Sequence, residues 1–303
     1  MAERFVQSGT IKLWTESFGK STNPAVLLIM GAGAQGIFWP ERFCQLLAGK
    51  GFFVIRYDNR DSGQSSAINF SHYPYVLDDM ANDAVAILDE YGIDKAHIVG
   101  ASMGGTIAQL LALSYPERVL SIVLIMSTQD FSVIVRAIIP FLLRPFMGFL
   151  IKRTTLPSPS DEVIKFYRSV WLSPPKDLTT WMQKAQRAWH VFSAGTPIDE
   201  EEMKTLEERA FFREANVSSM GNHARAIKKS AKKKIDLTAI TRPTLIIHGQ
   251  KDPVFSVEHG KVLAQMIPEA HLEIIPEMGH VIPAALSQKL ADVIVSFIKD
   301  IHK

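Results

Sequence analysis

Short apolar runs alternate along this chain with stretches whose apolar residues recur every three or four positions. Ala25-Val-Leu-Leu-Ile-Met30, Phe52-Phe-Val-Ile-Arg-Tyr57, Val119-Leu-Ser-Ile-Val-Leu-Ile-Met126 and Pro243-Thr-Leu-Ile-Ile-His248 are near-continuous runs, the pattern of strands covered on both faces. Ala96-His-Ile-Val-Gly100 and His271-Leu-Glu-Ile-Ile-Pro276 read as two further strands, and Arg4 to Phe18 as a pair turning at Ser8-Gly9. Helical spacing fills the gaps: Trp39, Phe43, Leu46 and Leu47 before Gly51, then a helix over Tyr75 to Tyr91 with Met80, Ala84, Ile87, Leu88 and Tyr91 at helical spacing before Gly92. Later come a helix near Ser256 to Ile267 and another after Pro283 that stacks Leu286, Leu290, Ile294, Phe297 and Ile301. Such alternation predicts βαβ crossovers: an α/β fold with a mostly parallel central sheet flanked by helices.

The alternation stops after Thr128. From about Asp130 to Ile240 the pattern is helical only, with Leu178, Trp181, Met182, Ala185, Trp189 and Phe192 on one face and Asp199-Glu-Glu-Glu as an acidic helix start. The expected organisation is a core made of residues 1–129 and 241–303, interrupted by an all-helical cap at 130–240. Phe131 to Ile151 is rich in Ile, Leu and Phe, but Arg136, Pro140, Arg144 and Pro145 cut it short of the roughly 20 apolar residues that span a membrane. It reads as a pair of short helices covering something apolar rather than as a membrane-surface segment. The lysines at 228, 229, 232, 233 and 234 read as a solvated connector.

Composition narrows the function classes. In 303 residues, 33 Lys+Arg balance 31 Asp+Glu to a net charge of +2, and no basic-aromatic recognition module stands out, which argues against nucleic acid as a partner. The single cysteine, Cys44, cannot close an intramolecular disulfide, and Met-Ala-Glu-Arg-Phe-Val-Gln carries no apolar signal region, so a cytoplasmic location is the expectation.

The chemistry is concentrated after the Ala96 strand. Gly100-Ala-Ser102-Met-Gly104 fits G-x-S-x-G, in which a serine on a strained strand-to-helix corner needs nearly side-chain-free neighbours. A serine hydroxyl attacks at neutral pH only if a base takes its proton, and the base is usually a histidine oriented by a carboxylate. Reactive groups in parallel α/β folds gather beyond the carboxyl ends of strands. His280, after Glu277-Met-Gly279, and Asp252, in the turn Gly249-Gln-Lys-Asp252-Pro253, both occupy such ends and complete the order Ser, Asp, His. His248 is the rival base, read as structural, and Asp130 the alternative acid. Developing negative charge needs fixed donors, each typically worth about 3 kcal/mol. Those expected are the backbone N–H of Met103 and one from the Gly31-Ala32-Gly33 loop, with Ala32 favoured over Gly31. That loop lacks the G-x-x-x-x-G-K phosphate pattern, and Asp58 fits a polar turn with Arg60, Gly63 and Ser65 better than a ribose site.

Several motifs together resemble the α/β-hydrolase superfamily. They are Met30-Gly-Ala-Gly33, Arg56-Tyr-Asp58-Asn-Arg60-Asp-Ser-Gly63-Gln-Ser65, Gly100-Ala-Ser102-Met-Gly104-Gly105, His248-Gly-Gln-Lys-Asp252-Pro253 and Met278-Gly279-His280. More narrowly, Ile29-Met30-Gly31, Arg60-Asp61, Trp189, Ser193-Ala-Gly-Thr-Pro197 and Glu208-Arg-Ala210 make it similar to the aclacinomycin methylesterase group. It departs from that group at Ala32, where the group carries glycine, and around Phe131 to Pro159. The resemblance implies a carboxylic-ester hydrolase with Ala32 and Met103 as oxyanion donors; the serine, histidine and aspartate read as working through an acyl-enzyme with no metal or cofactor, on a small-molecule ester that is apolar or aromatic. Trp181 and Trp189 are candidate pocket residues, although packing between cap and core explains them as well. The same three residues could instead cleave a C–C bond or a lactone or run perhydrolysis, and the fold alone also admits a non-catalytic ligand binder.

Overall fold

The computed structural model describes residues 2–130, 133, 156–173, 175–214, 216–231 and 235–301. The pair of short helices expected within Phe131 to Ile151 and the lysines at 232–234 lie outside the described residues, except that Val133 is described and buried.

The strands are β1 (Ala2–Ser8), β2 (Ile11–Phe18), β3 (Ala25–Ile29), β4 (Phe53–Tyr57), β5 (Ala96–Ala101), β6 (Val119–Ile125), β7 (Thr244–Gly249) and β8 (His271–Ile275). They form one sheet in the order β1-β2-β4-β3-β5-β6-β7-β8. β1 pairs antiparallel with β2 and β2 with β4, and every pairing from β4 to β8 is parallel. The continuous apolar runs have the cause expected of them, because β3, β4, β5 and β7 are buried at every position.

Alternate strand residues feed two separate core layers. Leu27, Ile29, Ile55, Ile98, Ile122 and Ile246 point to one face, and Val26, Leu28, Val54, Val99, Val123 and Ile247 to the other. α1 (Glu41–Gly49), α2 (Leu77–Glu90) and α3 (Met103–Ser114) follow β3, β4 and β5. α4 (Asp161–Leu172), α5 (Leu178–Ser193), α6 (Glu200–Arg213) and α7 (Asn222–Ser230) come between β6 and β7, and α8 (Val257–Met266) and α9 (Ser287–Asp300) after β7 and β8. α1 and α9 cover the Val26 face through Phe43, Leu47, Leu290 and Ile294, while α2, α3 and α8 cover the other through Met80, Ile87, Ile107, Leu111 and Leu263.

The second helix is shorter than its periodicity suggested. It starts at Leu77, because Tyr75 is drawn off to donate its hydroxyl to Asp61 Oδ2 at 2.7 Å. The acidic start of α6 is a true cap: Asp199 Oδ1 accepts from the N–H groups of Glu201 and Glu202, both at 3.0 Å. No helix among the described residues is long and apolar enough to cross a membrane.

One charge is enclosed in the antiparallel side of the sheet. Arg56 of β4 donates from Nε and Nη2 to Glu16 Oε2 of β2, at 2.8 and 2.6 Å, and from Nη1 to the Trp39 carbonyl. Removing one partner strands the other in an apolar layer, whereas replacing both does not. Arg56→Met should therefore lower unfolding free energy by about 3–5 kcal/mol in urea titration, and adding Glu16→Leu should recover most of that loss.

Candidate active site

Ser102 sits between β5 and α3 with φ +52° and ψ −116°, a left-handed corner unusual for a side chain of any size. Neighbouring backbone dictates the glycines around it. A Cβ on Gly100 would meet the Gly104 carbonyl, and one on Gly104 the Ile29 carbonyl of β3. The corner is tied down by hydrogen bonds from Ser102 N–H to the Ile125 carbonyl (2.9 Å) and from Ser127 Oγ to the Ser102 carbonyl (2.8 Å). β6 thus braces the turn.

Two loops from the far side of the sheet meet this corner. His280 Nε2 lies 3.1 Å from Ser102 Oγ, and its Nδ1 lies 2.8 Å from Asp252 Oδ2. Asp252 Oδ1 accepts from the N–H groups of Val254 (2.8 Å) and Phe255 (2.9 Å), so both carboxylate oxygens are engaged on a fully buried side chain. A carboxylate held in this way leaves Oδ2 for the imidazole and fixes the tautomer with its proton on Nδ1. The free Nε2 lone pair then faces the serine hydroxyl.

The rival residues are placed elsewhere. His248 Nε2 lies 2.7 Å from the Phe255 carbonyl and 3.6 Å from Asp252 Oδ2, and burial pushes its pKa below the ordinary histidine value despite that carboxylate. It is a neutral buried brace behind the acid. Asp130 donates its N–H to Thr128 Oγ1 (3.0 Å) and lines a cleft with Leu77, Asp78 and Thr106. The carboxylate hydrogen-bonded to His280 is that of Asp252.

The N–H groups expected to receive an oxyanion flank the corner. Met103 is the first residue of α3, so its N–H has no partner within the helix. The Gly31–Ala34 loop closes with a hydrogen bond from Ala34 N–H to the Gly31 carbonyl (3.3 Å), with φ +73° at Gly33. A Cβ on Gly31 would come within 3.2 Å of the Ser102 Cβ, so a side chain there would crowd the serine, and glycine lets the loop lie this close without that crowding. The nucleotide reading of Asp58 is closed off: its carboxylate accepts from Gly36 N–H (2.7 Å), Gln64 N–H (2.9 Å) and Arg213 Nη2 (2.8 Å).

Trp181 and Trp189 both turn their indole N–H groups to one buried carboxylate, Glu207, at 3.0 and 2.7 Å. Burial raises the Glu207 pKa, and the two indole bonds oppose that rise. Trp181 packs with Trp14, Ile37 and Ala210. The rings set against His280 are Phe192 of α5 (centroids 6.4 Å) and Phe255 (5.6 Å), both edge-on. Phe192 carries a helical-face signal in the sequence, but Phe255 has none beyond its place three residues after the acid. The α5 end also touches the base through its backbone, since His280 N–H donates to the Phe192 carbonyl at 2.7 Å. Among the described residues no group of three or more His, Cys, Asp or Glu side chains is arranged to hold a metal ion.

Comparison with known proteins agrees with this architecture. The family model described as the alpha/beta hydrolase fold matches residues 24–283. Rhodomycin D methylesterase DauP of Streptomyces sp. (strain C5) is 32% identical over 295 residues, 96% of each chain, and rhodomycin D methylesterase DnrP of Streptomyces peucetius is 31% identical over the same shares. Among solved structures, the esterase EaEST from Exiguobacterium antarcticum superposes with a TM-score of 0.73 at 20% identity, covering 98% of this chain and 100% of its own, a likeness of fold. The likeness to a methylesterase group expected from the motifs is present along almost the whole chain, which belongs to the α/β-hydrolase fold family.

Proposed function

We propose that this chain is a serine hydrolase that cleaves a carboxylic ester through an acyl-enzyme. The observation that carries the reading is the continuous hydrogen-bonded chain from Ser102 Oγ through His280 to Asp252, 3.1 and 2.8 Å long. As the serine oxygen attacks the ester carbonyl, its proton passes to His280 Nε2, and the Asp252 carboxylate stabilises the imidazolium. The carbonyl oxygen takes up negative charge between the N–H groups of Met103 and Ala32. Collapse of this tetrahedral species breaks the bond to the alkoxy oxygen, which leaves as the alcohol with the proton from His280. Water then attacks the acyl-serine while giving a proton to His280, and collapse breaks the acyl–Oγ bond, with His280 returning that proton to Ser102 Oγ as the acid leaves.

Residues 130–240 act in this reading as a cap over the site, with Phe192 bringing its aromatic edge to His280. The names of the two Streptomyces relatives support a methyl ester as the substrate class, and the aromatic rings at the base suit an apolar or aromatic acid part.

Two measurements test the chemistry. Ser102→Ala should abolish labelling by a fluorophosphonate and lower kcat at least about a thousandfold. Equal rates with and without the serine would overturn the reading. Asp252→Asn should cost about 10³–10⁴ in kcat, because the amide disturbs the imidazole tautomer, while Asp130→Asn leaves the rate within about threefold. A substrate panel tests the bond. Methyl and aryl esters should outrun lactones and vinylogous diketones in kcat/KM, and the reverse order would reassign the reaction to lactone or C–C cleavage.

A further inference from the structure

The loop that carries the second oxyanion donor is gripped from outside the sheet. His223, near the start of α7, is buried with 1% exposure. Its Nδ1 accepts the N–H of Gly33 at 2.9 Å, and its Nε2 lies 2.6 Å from the carbonyl of Arg60. An imidazole that accepts at one nitrogen and donates at the other is neutral and confined to one tautomer. Burial favours that state by holding the His223 pKa below its ordinary value, against the pull of the Arg60 carbonyl and Asp61.

The contact falls on the peptide next to the one that carries the Ala32 N–H. The Gly31–Ala34 turn has its positive φ at the third residue, Gly33, which is the type II arrangement. Type I and type II turns differ by a flip of the peptide between the second and third residues, here Ala32–Gly33. His223 holds the N–H of that peptide. The stem before the turn is fixed by Asn59 Nδ2 donating to the Met30 carbonyl (3.1 Å), and the stem after it by Asp58 accepting from Gly36 N–H (2.7 Å). Among the described residues, the middle of the loop without His223 keeps its own 3.3 Å closing bond.

We propose that His223 is a positioning residue for the reaction: its acceptor nitrogen anchors the Ala32–Gly33 peptide, and through the shared Ala32 Cα it steadies the neighbouring Gly31–Ala32 peptide, whose N–H faces the developing oxyanion. The role rests on the esterase reading above. It makes the seating of the cap a condition for full rate, because the lock stands on α7 and reaches across to the core.

The test compares His223→Asn, whose amide oxygen can take the Gly33 N–H, with His223→Leu, which offers no acceptor. Rates are counted per active serine by fluorophosphonate titration, so loss of folded protein does not enter kcat. His223→Leu should lower kcat about 10- to 100-fold with KM within about twofold, and weaken a trifluoromethyl-ketone analogue, whose adduct carries the oxyanion, by a similar factor. His223→Asn should recover most of both. If His223→Leu does not fold, His223→Gln, which keeps a donor for the Arg60 carbonyl but no acceptor at the Nδ1 position, takes its place. Wild-type kcat and ketone affinity in the variants lacking the acceptor would overturn the role, as would equal losses in the Asn and Leu variants. A fully active Ser102→Ala enzyme would instead bring down the esterase reading itself.

Discussion

A serine forced to φ +52° is the constraint from which the rest follows. A non-glycine residue held in the left-handed region costs on the order of 1–3 kcal/mol and persists only where its surroundings over-determine it. Here β6 supplies the bracing through the Ile125 carbonyl and the Ser127 hydroxyl, and β3 presses so close that Gly104 cannot carry a side chain. The nucleophile therefore sits on the most enclosed part of the sheet, between two parallel neighbours, rather than on a free loop. Parallel pairing then brings the loops after β3, β7 and β8 to the same edge, where the donor loop, the acid and the base arrive.

The fold was largely legible because burial on both faces leaves a plain mark. Ala25–Ile29 and Thr244–Gly249 have almost no polar residue to spare, and that pattern fits few structures other than a central strand. The order of Ser102, Asp252 and His280 was legible for a related reason: each stands within a few residues of the carboxyl end of a strand, β5, β7 and β8 in turn. What could not be read is which polar residue meets which. His223 finds Gly33 190 positions away, and Trp181 and Glu207 share a bond between two different helices. Periodicity says that a position is covered, not by what. The two tryptophans show the limit, since the same spacing that suggested a pocket also serves to satisfy one buried carboxylate.

The turn after β4 is another case. Asp58 to Ser65 is the polar turn its residues predict, and most of it is buried and turned toward the helices between β6 and β7. Arg213 donates to Asp58, the Glu214 carboxylate accepts Gly63 N–H, and Ser219 Oγ donates to the Asp61 carbonyl. Burial raises the pKa of both Asp58 and Glu214, Arg213 offsetting part of it for the first and backbone N–H groups part of it for the second. Buried polar contacts of this kind add little net stability compared with apolar packing. They do demand one registration of helix against sheet, since a shift of a few ångströms would leave every partner unpaired.

The backbone bond between His280 and Phe192 has a consequence for how this chain can change over generations. The Phe192 and Ser193 carbonyls leave no space for a side chain at Gly279, and Thr196 Oγ1 accepts the Gly279 N–H at 2.7 Å. Main-chain atoms on both sides make most of this seam, while the left-handed backbone at Ala194 (φ +47°) and Gly195 (φ +85°) favours small residues there. The number of residues cannot drift. One residue gained or lost between Phe192 and Thr196 would put the helix end out of step with the loop that carries the base, so the length of this short bend is itself a constraint on how the chain can change.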